Sequence, residues 1–144
     1  MSLKFKIKVP GTSANIGVGY DCLGVALDYY LEIEVTESET IEFVENGKEF
    51  SIPLDENLMF EAANFTKKKL NKTIPNYRVN IIRNDIPIAR GLGSSSSAIV
   101  AGIMIVNRFL NNKLDRDSIA KLAVEMEGHP DNVVPAIFGG MVLA

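Results

Sequence analysis

The sequence predicts an α+β fold in which helices accompany a mixed β-sheet. Strand-like segments fill the first third of the chain, and helical and strand-like segments are mixed in the rest. An apolar fraction of 47% and a charged fraction of 23% are ordinary for a globular protein, and 144 residues are enough for one core. Because no internal repeat, low-complexity tract or linker divides the chain, residues 1–144 are predicted to form one domain.

Four early segments have the alternation or the β-prone composition of strands: residues 5–9, 23–35, 41–44 and 50–52. Pro10 and Gly11 are predicted to end the first strand, and residues 12–21 to form a polar, glycine-rich loop. Asn46 and Gly47 are a typical two-residue hairpin turn, so the third segment is expected to pair with the fourth.

Three later segments carry apolar residues at the spacing of a helix. The first covers residues 58–70, with Asp55 or Asn57 available as its N-cap. The second begins near Ala98 and is apolar almost all round, which predicts a buried helix. The third begins after Asp115, which is predicted to be its N-cap.

The remaining segments connect or follow these helices. Residues 77–82 are predicted as a strand that leads into a glycine- and serine-rich loop, and Gly128 and Pro130 are predicted to end the third helix. Residues 139–144 read as a turn that opens a buried strand, which is an unusual place for a chain to stop. We therefore expect this chain to be the N-terminal part of a longer protein.

Composition excludes several classes of function. A net charge of −3 argues against nucleic acid or an anionic membrane as the main partner. Cys22 is the single cysteine, so neither a disulfide framework nor a thiolate metal site is expected. The N-terminus has no apolar signal region, and no stretch reaches about 18 unbroken apolar residues. The protein is predicted to be cytoplasmic.

The glycine- and serine-rich loop predicts a phosphate site. It consists of Pro87, Ile88, Ala89, Arg90, Gly91, Leu92, Gly93, Ser94, Ser95, Ser96 and Ser97. The glycines let the main chain approach a ligand, and the serines precede the positive dipole end of a helix. The loop lacks the Lys-Ser/Thr pair of a Walker A motif and differs from the Rossmann glycine pattern. A flexible turn is the alternative, but a linker would not lead straight into an apolar helix.

The end of the third helix and the segment after it add groups that phosphoryl transfer needs, namely a carboxylate for Mg²⁺ and polar groups that aim an acceptor hydroxyl. Glu125, Glu127 and Asp131 are candidate metal ligands or bases, and His129 and Asn132 are candidate hydrogen-bonding groups. The two glutamates would point in nearly opposite directions on a helix, so at most one faces the site. Structural roles are the alternative: a solvated helix end, a turn histidine and a helix cap.

Three segments resemble motifs of the GHMP kinase superfamily, and within it of the homoserine kinase family. Residues 10–21 resemble the first motif, Pro-x-Thr-Ser-Ala-Asn-Leu-Gly-x-Gly-Phe-Asp, with Ile16 in place of leucine and Tyr20 in place of phenylalanine. Residues 87–95 resemble the ATP loop, Pro-x-x-x-Gly-Leu-Gly-Ser-Ser. Residues 127–140 resemble Glu-Gly-His-Pro-Asp-Asn-Val-x-Pro-Ala-x-x-Gly-Gly, and the Gly-Glu-His element of galactokinases and mevalonate kinases is missing.

This resemblance implies a GHMP kinase N-terminal domain with a left-handed β-α-β crossover at the phosphate loop. It implies ATP and Mg²⁺ as cofactors and L-homoserine as the acceptor, which is phosphorylated on its side-chain hydroxyl on the route to threonine. Asn15 and Asp21 would hold the amino-acid end of homoserine, and Asn132 would lie near the reacting hydroxyl with His129 among the substrate contacts.

The resemblance also implies roles around the nucleotide. Residues 91–97 would wrap the phosphates, with Ser95 or a neighbour near Mg²⁺ and Asn57 towards the adenine. Glu125 is the first choice for the metal carboxylate, and Glu127 is the alternative. Asp131 is the candidate general base, although the hydroxyl proton can instead pass to the phosphate itself.

Members of this superfamily are about twice as long as this chain. Their second half supplies arginines that grip the homoserine carboxylate and the transferring phosphate, so this half alone is expected to be a poor catalyst or none. Three alternatives stay open: a GHMP kinase for mevalonate or a sugar, a non-catalytic nucleotide-binding domain that could form a homodimer through exposed core, and a folded domain without a ligand.

Overall fold

Six strands of the described residues form one mixed sheet. The structure, a computed structural model, describes residues 3–14, 23–85, 94–128, 137 and 141–143. Its elements are, in chain order, β1 (Lys4–Ala14), β2 (Leu23–Glu37), β3 (Glu42–Glu45), β4 (Lys48–Glu49), α1 (Leu58–Leu70), β5 (Tyr77–Asn84), α2 (Ser94–Phe109), α3 (Arg116–Glu127) and β6 (Met141–Leu143). The predicted α+β class with a mixed sheet is confirmed.

The sheet has the order β1-β2-β5-β3-β4, and β6 pairs with β2. All pairs are antiparallel except β3 with β5, which run parallel. The long strand β2 carries β1 along one side, and β5 and β6 pair with successive parts of it. Helix α1 lies in the connection that leads from the β3–β4 hairpin to β5, because parallel strands need a crossover connection.

Burial alternates along the strands, so only one face of the sheet carries the core. In β1, Phe5, Ile7 and Val9 are buried, whereas Lys6 and Lys8 between them are exposed. Helix α2 packs against β1 and against both other helices. Its side chains Val100, Ile103, Ile105 and Val106 are fully buried, which confirms the predicted buried helix. Within the described ranges, no helix is both long and apolar enough to cross a membrane.

Strand β1 continues past the point where it was predicted to end. The register shifts between Pro10 and Thr12, and pairing with β2 resumes as far as Ala14. Strand β1 lies at the edge of the described sheet, where a proline is tolerated because its missing N–H leaves no central ladder position unpaired. The prediction that Pro10 and Gly11 end the strand is therefore wrong: they form an irregularity within it.

The hairpin turn is confirmed, but its second strand is misplaced in the prediction. Asn46 and Gly47 have φ values of 52° and 77°, the left-handed geometry that a two-residue hairpin turn requires. Strand β4 is Lys48–Glu49, whereas residues 50–52 were predicted. Phe50 donates one further main-chain hydrogen bond, to the Phe43 carbonyl, and the two rings pack 6.5 Å apart. The apolar side chains that suggested a strand thus serve packing as the chain leaves the sheet.

Helix α1 has the predicted bounds, and Asn57 is its N-cap. The Asn57 Oδ1 atom accepts hydrogen bonds from the main-chain N–H groups of Met59 and Phe60, at 3.0 and 3.2 Å. Asp55, the other candidate, belongs instead to a short 3-10 turn, Leu54–Glu56. The helix ends at Asn71, which has a left-handed φ of 53°.

Helix α2 begins at Ser94, four residues earlier than predicted. Polar serines weaken the apolar pattern but favour the first turn of a helix, where main-chain N–H groups have no intrahelical partner. Gly102 lets this helix approach α1 closely, because a Cβ atom there would lie 2.7 Å from the Ala62 Cβ. Helix α3 is capped as predicted: Asp115 accepts from the Ser118 N–H at 2.8 Å, and Gly128 has a φ of 102°.

Candidate functional site

The structure describes part of the predicted site. The following predicted site residues lie outside the described residues: Asn15, Asp21, Pro87, Ile88, Ala89, Arg90, Gly91, Leu92, Gly93, His129, Asp131 and Asn132. The described ones are Asn57 before α1, the serines at the start of α2, and Glu125 and Glu127 at the end of α3.

The serines in the first turn of α2 differ sharply in exposure. Ser95 is exposed, whereas Ser96 and Ser97 are completely buried. The Ser97 hydroxyl donates a 3.0 Å hydrogen bond to the Pro10 carbonyl, at the irregularity in β1. The Ser96 hydroxyl is buried without a hydrogen-bond partner in the described part of the chain. Of the three serines whose burial the structure describes, Ser95 is therefore the one that an external ligand can reach.

Ser95 and Asn57 line the same cavity, of about 280 Å³. Its other walls are mainly apolar and come from β2, β5 and the start of α1, with Leu31, Ile81 and Met59 among them. This brings together two predicted site residues that lie 38 positions apart in the sequence (95 − 57 = 38). A mainly apolar cavity with a few polar groups is typical of small-molecule sites.

Asn57, which lines this cavity, is buried. Its side chain is only 3% exposed, and Oδ1 is occupied by the cap of α1. The Nδ2 atom is buried and has no partner among the described residues. Asn57 also lines a second, wider cavity of about 700 Å³, which lies between the β3–β4 hairpin and the start of α1. Because burying an unpaired amide is unfavourable, Asn57 Nδ2 is a candidate donor to a ligand bound in one of the two cavities that Asn57 lines.

The two glutamates of α3 point to different environments. Glu125 is exposed and forms an ion pair with Lys69 at the end of α1. Glu127 is half-buried, and its Oε2 atom is buried without a hydrogen-bond partner in the ranges that the structure describes. The prediction that they face opposite ways agrees with these contacts. The described residues contain no cluster of three or more side chains that could hold a metal by themselves.

Sequence reasoning missed Asp85, which follows the last residue of β5. Its carboxylate accepts a 2.7 Å hydrogen bond from Arg83 Nε and a longer one, 3.4 Å, from the Tyr30 main-chain N–H. The Asp85 N–H in turn donates to the Tyr30 carbonyl at 3.1 Å. The hydrogen bond from Arg83 holds the pKa of the Asp85 carboxyl below its ordinary value of 3.8, although partial desolvation opposes it. The available signal was an aspartate at a strand end, two residues before Pro87.

Comparison with known proteins assigns this chain to a family. The family model "GHMP kinases N terminal domain" matches residues 57–140, which is more than half of the chain. The chain therefore belongs to the GHMP kinase family. The match begins at Asn57 and includes the glycine- and serine-rich loop, α2 and α3.

The chain is also similar to individual kinases. The chain is 48% identical over 140 residues to a homoserine kinase of Clostridium novyi, covering 96% of this chain and 47% of the relative. A homoserine kinase structure from Cytophaga hutchinsonii is similar with a TM-score of 0.80 at 27% identity, over 97% of this chain and 48% of that one. A mevalonate kinase structure from Methanococcus jannaschii has a TM-score of 0.74 at 25% identity, over 96% of this chain and 52% of that one.

The chain thus spans about half the length of the curated relatives that it matches. The matches cover about 96% of this chain, and the resemblance that the three motifs predicted is confirmed.

Proposed function

We propose that the protein transfers the γ-phosphoryl group of ATP to the side-chain hydroxyl of L-homoserine, yielding O-phosphohomoserine, and that this chain supplies the nucleotide-binding part. The observation that carries the proposal is the cavity lined by both Ser95, on the first turn of α2, and Asn57, whose buried amide nitrogen has no partner among the described residues. The relatives named homoserine kinase support the choice of acceptor.

The adenine would occupy the cavity of about 280 Å³. Apolar walls suit the faces of a purine, and a purine edge carries ring nitrogens that accept hydrogen bonds. The Asn57 Nδ2 group would donate to one of them, which satisfies an amide that otherwise has no partner among the described residues. The Oδ1 atom stays committed to the helix cap, so the asparagine is held in place before the nucleotide arrives.

The phosphates would lie beyond Ser95 at the start of α2. The first main-chain N–H groups of a helix are free to bind anions, and the helix dipole favours negative charge there. Residues 87–93 would complete the phosphate cradle, as the glycines of the loop predict. Ser97 has a different task, because its hydroxyl ties α2 to β1.

Mg²⁺ would be held by the Ser95 hydroxyl, phosphate oxygens and one carboxylate. The residues fit such an ion, because Glu127 offers a buried oxygen without a described partner whereas Glu125 is exposed and paired with Lys69. We therefore propose Glu127, the second choice from the sequence, as the metal carboxylate. When bound, the ion neutralises charge that develops on the transferring phosphate.

Asn15, Asp21, His129 and Asn132 would bind homoserine, on the strength of the motifs that contain them. Asp131 would accept the hydroxyl proton if a protein base is used, and otherwise the proton passes to the phosphoryl group. In either case this chain contributes mainly positioning and neutralisation of charge. We place the reaction in the cytoplasm, where ATP is available and a lone cysteine stays reduced.

A panel of acceptors tests this function. The full gene product is assayed for ADP release with Mg²⁺-ATP and L-homoserine, L-threonine, L-serine, mevalonate or galactose. Turnover with homoserine that exceeds every other acceptor supports the proposal. Mevalonate is the specific competitor, because a mevalonate kinase shares the fold. Preference for mevalonate or a sugar would show that this compound, and not homoserine, is the acceptor. Nucleotide binding without turnover of any acceptor would indicate a non-catalytic nucleotide-binding domain.

A further inference from the structure

The segment between β5 and α2 has both ends tied to the sheet by side-chain hydrogen bonds. At the α2 end, the Ser97 hydroxyl donates to the Pro10 carbonyl of β1. At the β5 end, Asp85 is joined to Tyr30 of β2. The first contact spans 87 positions of the sequence, and the second spans 55. The sequence between the two ties contains the glycine-rich residues to which the proposed function assigns the triphosphate.

Asp85 ends the ladder between β5 and β2 in a specific way. The last registered pair is Asn84 with Leu31, and the Asp85 N–H still donates to the next residue, Tyr30. The Tyr30 N–H is accepted by the Asp85 carboxylate, at 3.4 Å. The Asp85 side chain thus gives the Tyr30 N–H a partner directly after the last residue of β5.

The environment of Asp85 holds the carboxylate in place. Arg83 Nε donates to the other carboxylate oxygen at 2.7 Å, and the Arg83 guanidinium lies 5.2 Å from the centre of the Tyr30 ring. The Lys8 ammonium lies 4.3 Å from the same ring centre. Charge-assisted hydrogen bonds and cation–π contacts both orient the groups that form them. Arg83 also offsets a negative charge that would otherwise repel a nearby triphosphate.

We propose that Asp85 is a positioning residue for the phosphate segment: by bonding Tyr30 and Arg83 it fixes the point at which the chain leaves β5 on its way to the first turn of α2. This role rests on the proposed function. In this role Asp85 would not contact the nucleotide or the acceptor. By fixing one end of the glycine-rich segment, it would reduce the conformational entropy that the segment loses on binding phosphates. Its loss should therefore weaken binding of the triphosphate and spare binding of the nucleoside.

The test compares two ligands in four versions of the full gene product. The dissociation constants of the β,γ-imido analogue of ATP with Mg²⁺, and of adenosine, are measured for wild type, Asp85→Ala, Asp85→Asn and Asp115→Ala. Asp85→Asn keeps an oxygen that can accept from Tyr30 or Arg83. Asp115→Ala is the matched control, because Asp115 also accepts a main-chain N–H but at the start of α3.

For Asp85→Ala we expect the ATP analogue to bind about five- to tenfold more weakly, as for one or two lost hydrogen bonds. Adenosine affinity should stay within about twofold, and Asp85→Asn should recover most of the loss. In turnover, KM for ATP should rise more than kcat falls. Arg83→Gln should act in the same direction, which gives a second test if Asp85→Ala folds poorly.

Three results would overturn the role of Asp85: an unchanged affinity for the ATP analogue in Asp85→Ala, an equal loss for both ligands, or the same selective loss in Asp115→Ala. A wild type that binds neither ligand is a different outcome. It would overturn the proposed function itself, and the role of Asp85 would be lost with it.

Discussion

Asn57 performs two tasks that substitution can separate. Its Oδ1 atom caps α1, and its buried Nδ2 atom is the donor proposed for adenine. Asn57→Ser keeps an oxygen that can cap the helix and removes the amide donor. Asn57→Ala removes both. The pair of variants therefore distinguishes a loss of stability from a loss of nucleotide recognition.

The magnitudes follow from these two contacts. Replacing an N-cap residue by alanine costs about 1 kcal/mol, whereas serine ranks with asparagine as a cap. For a domain of this size Asn57→Ala should melt roughly 2–4 °C below wild type. Asn57→Ser should melt at or above wild type, because an unpaired buried amide is removed. Both variants should bind nucleotide about 2- to 12-fold more weakly, the equivalent of one neutral hydrogen bond of about 0.5–1.5 kcal/mol.

The assay combines thermal melts without ligand and calorimetric titration with the β,γ-imido analogue of ATP and with adenosine. Because the donor contacts the base, both ligands should lose affinity to the same extent, unlike the selective loss expected for Asp85→Ala. Nucleotide affinity equal to wild type in Asn57→Ser would show that Nδ2 does not contact the nucleotide. A melting temperature of Asn57→Ser as low as that of Asn57→Ala would refute the capping argument.

Five further substitutions probe other parts of the structure. Glu127→Gln should raise the Mg²⁺ concentration needed for half-maximal turnover about tenfold, as for the loss of a metal-ligand charge. Glu125→Gln loses only an exposed ion pair worth about 0–1 kcal/mol. The opposite ranking of the two variants in a Mg²⁺ titration would restore Glu125, the first choice from the sequence, as the metal carboxylate. Gly102→Ala should lower the free energy of unfolding measured in urea. Overpacking against Ala62 costs about 1–3 kcal/mol, which exceeds the roughly 1 kcal/mol that alanine gains over glycine in a helix. A gain in stability would contradict the close approach of α2 to α1. Tyr77→Phe should leave the melting temperature unchanged or raise it, because the buried hydroxyl has no partner among the described residues; a drop of several degrees would reveal one. The pKa of Asp85 is lowered in the fold because Arg83 donates to its carboxylate, so the stabilisation that Asp85 contributes is complete above the ordinary aspartate value of 3.8 and is lost as pH falls through the lowered value. Asp85→Asn should therefore flatten the acid side of a stability–pH profile below about pH 4. A profile identical to wild type would contradict the pairing of Asp85 with Arg83.

The parts of the fold that follow local rules could be predicted from the sequence. The bounds of α1, its cap by Asn57 and the left-handed turn at Asn46 and Gly47 each depend on a few adjacent residues. The same holds for the cap of α3 by Asp115 and its end at Gly128. The phosphate site, which is expected because glycines, serines and a following apolar helix are contiguous in the chain, stays a prediction.

The remaining features depend on partners distant in sequence. Pro10 reads as the end of a strand, yet β1 continues because pairing with β2 resumes at Thr12. Ser97 reads as a phosphate ligand, yet its hydroxyl is taken by the Pro10 carbonyl of β1. The roles of Asp85 and of the two glutamates likewise depend on Tyr30 and Lys69, which no local pattern connects to them. Tertiary contacts decided these positions, as they commonly override local preference.

The central claim is that the γ-phosphate of ATP moves to the hydroxyl of homoserine. Phosphorus-31 NMR of the full gene product with Mg²⁺-ATP and L-homoserine measures that transfer directly. We predict that the γ-phosphate signal is replaced by equal amounts of ADP and a phosphomonoester coupled to the terminal methylene protons of homoserine. Release of inorganic phosphate alone, or a phosphomonoester formed with mevalonate but not with homoserine, would contradict the claim.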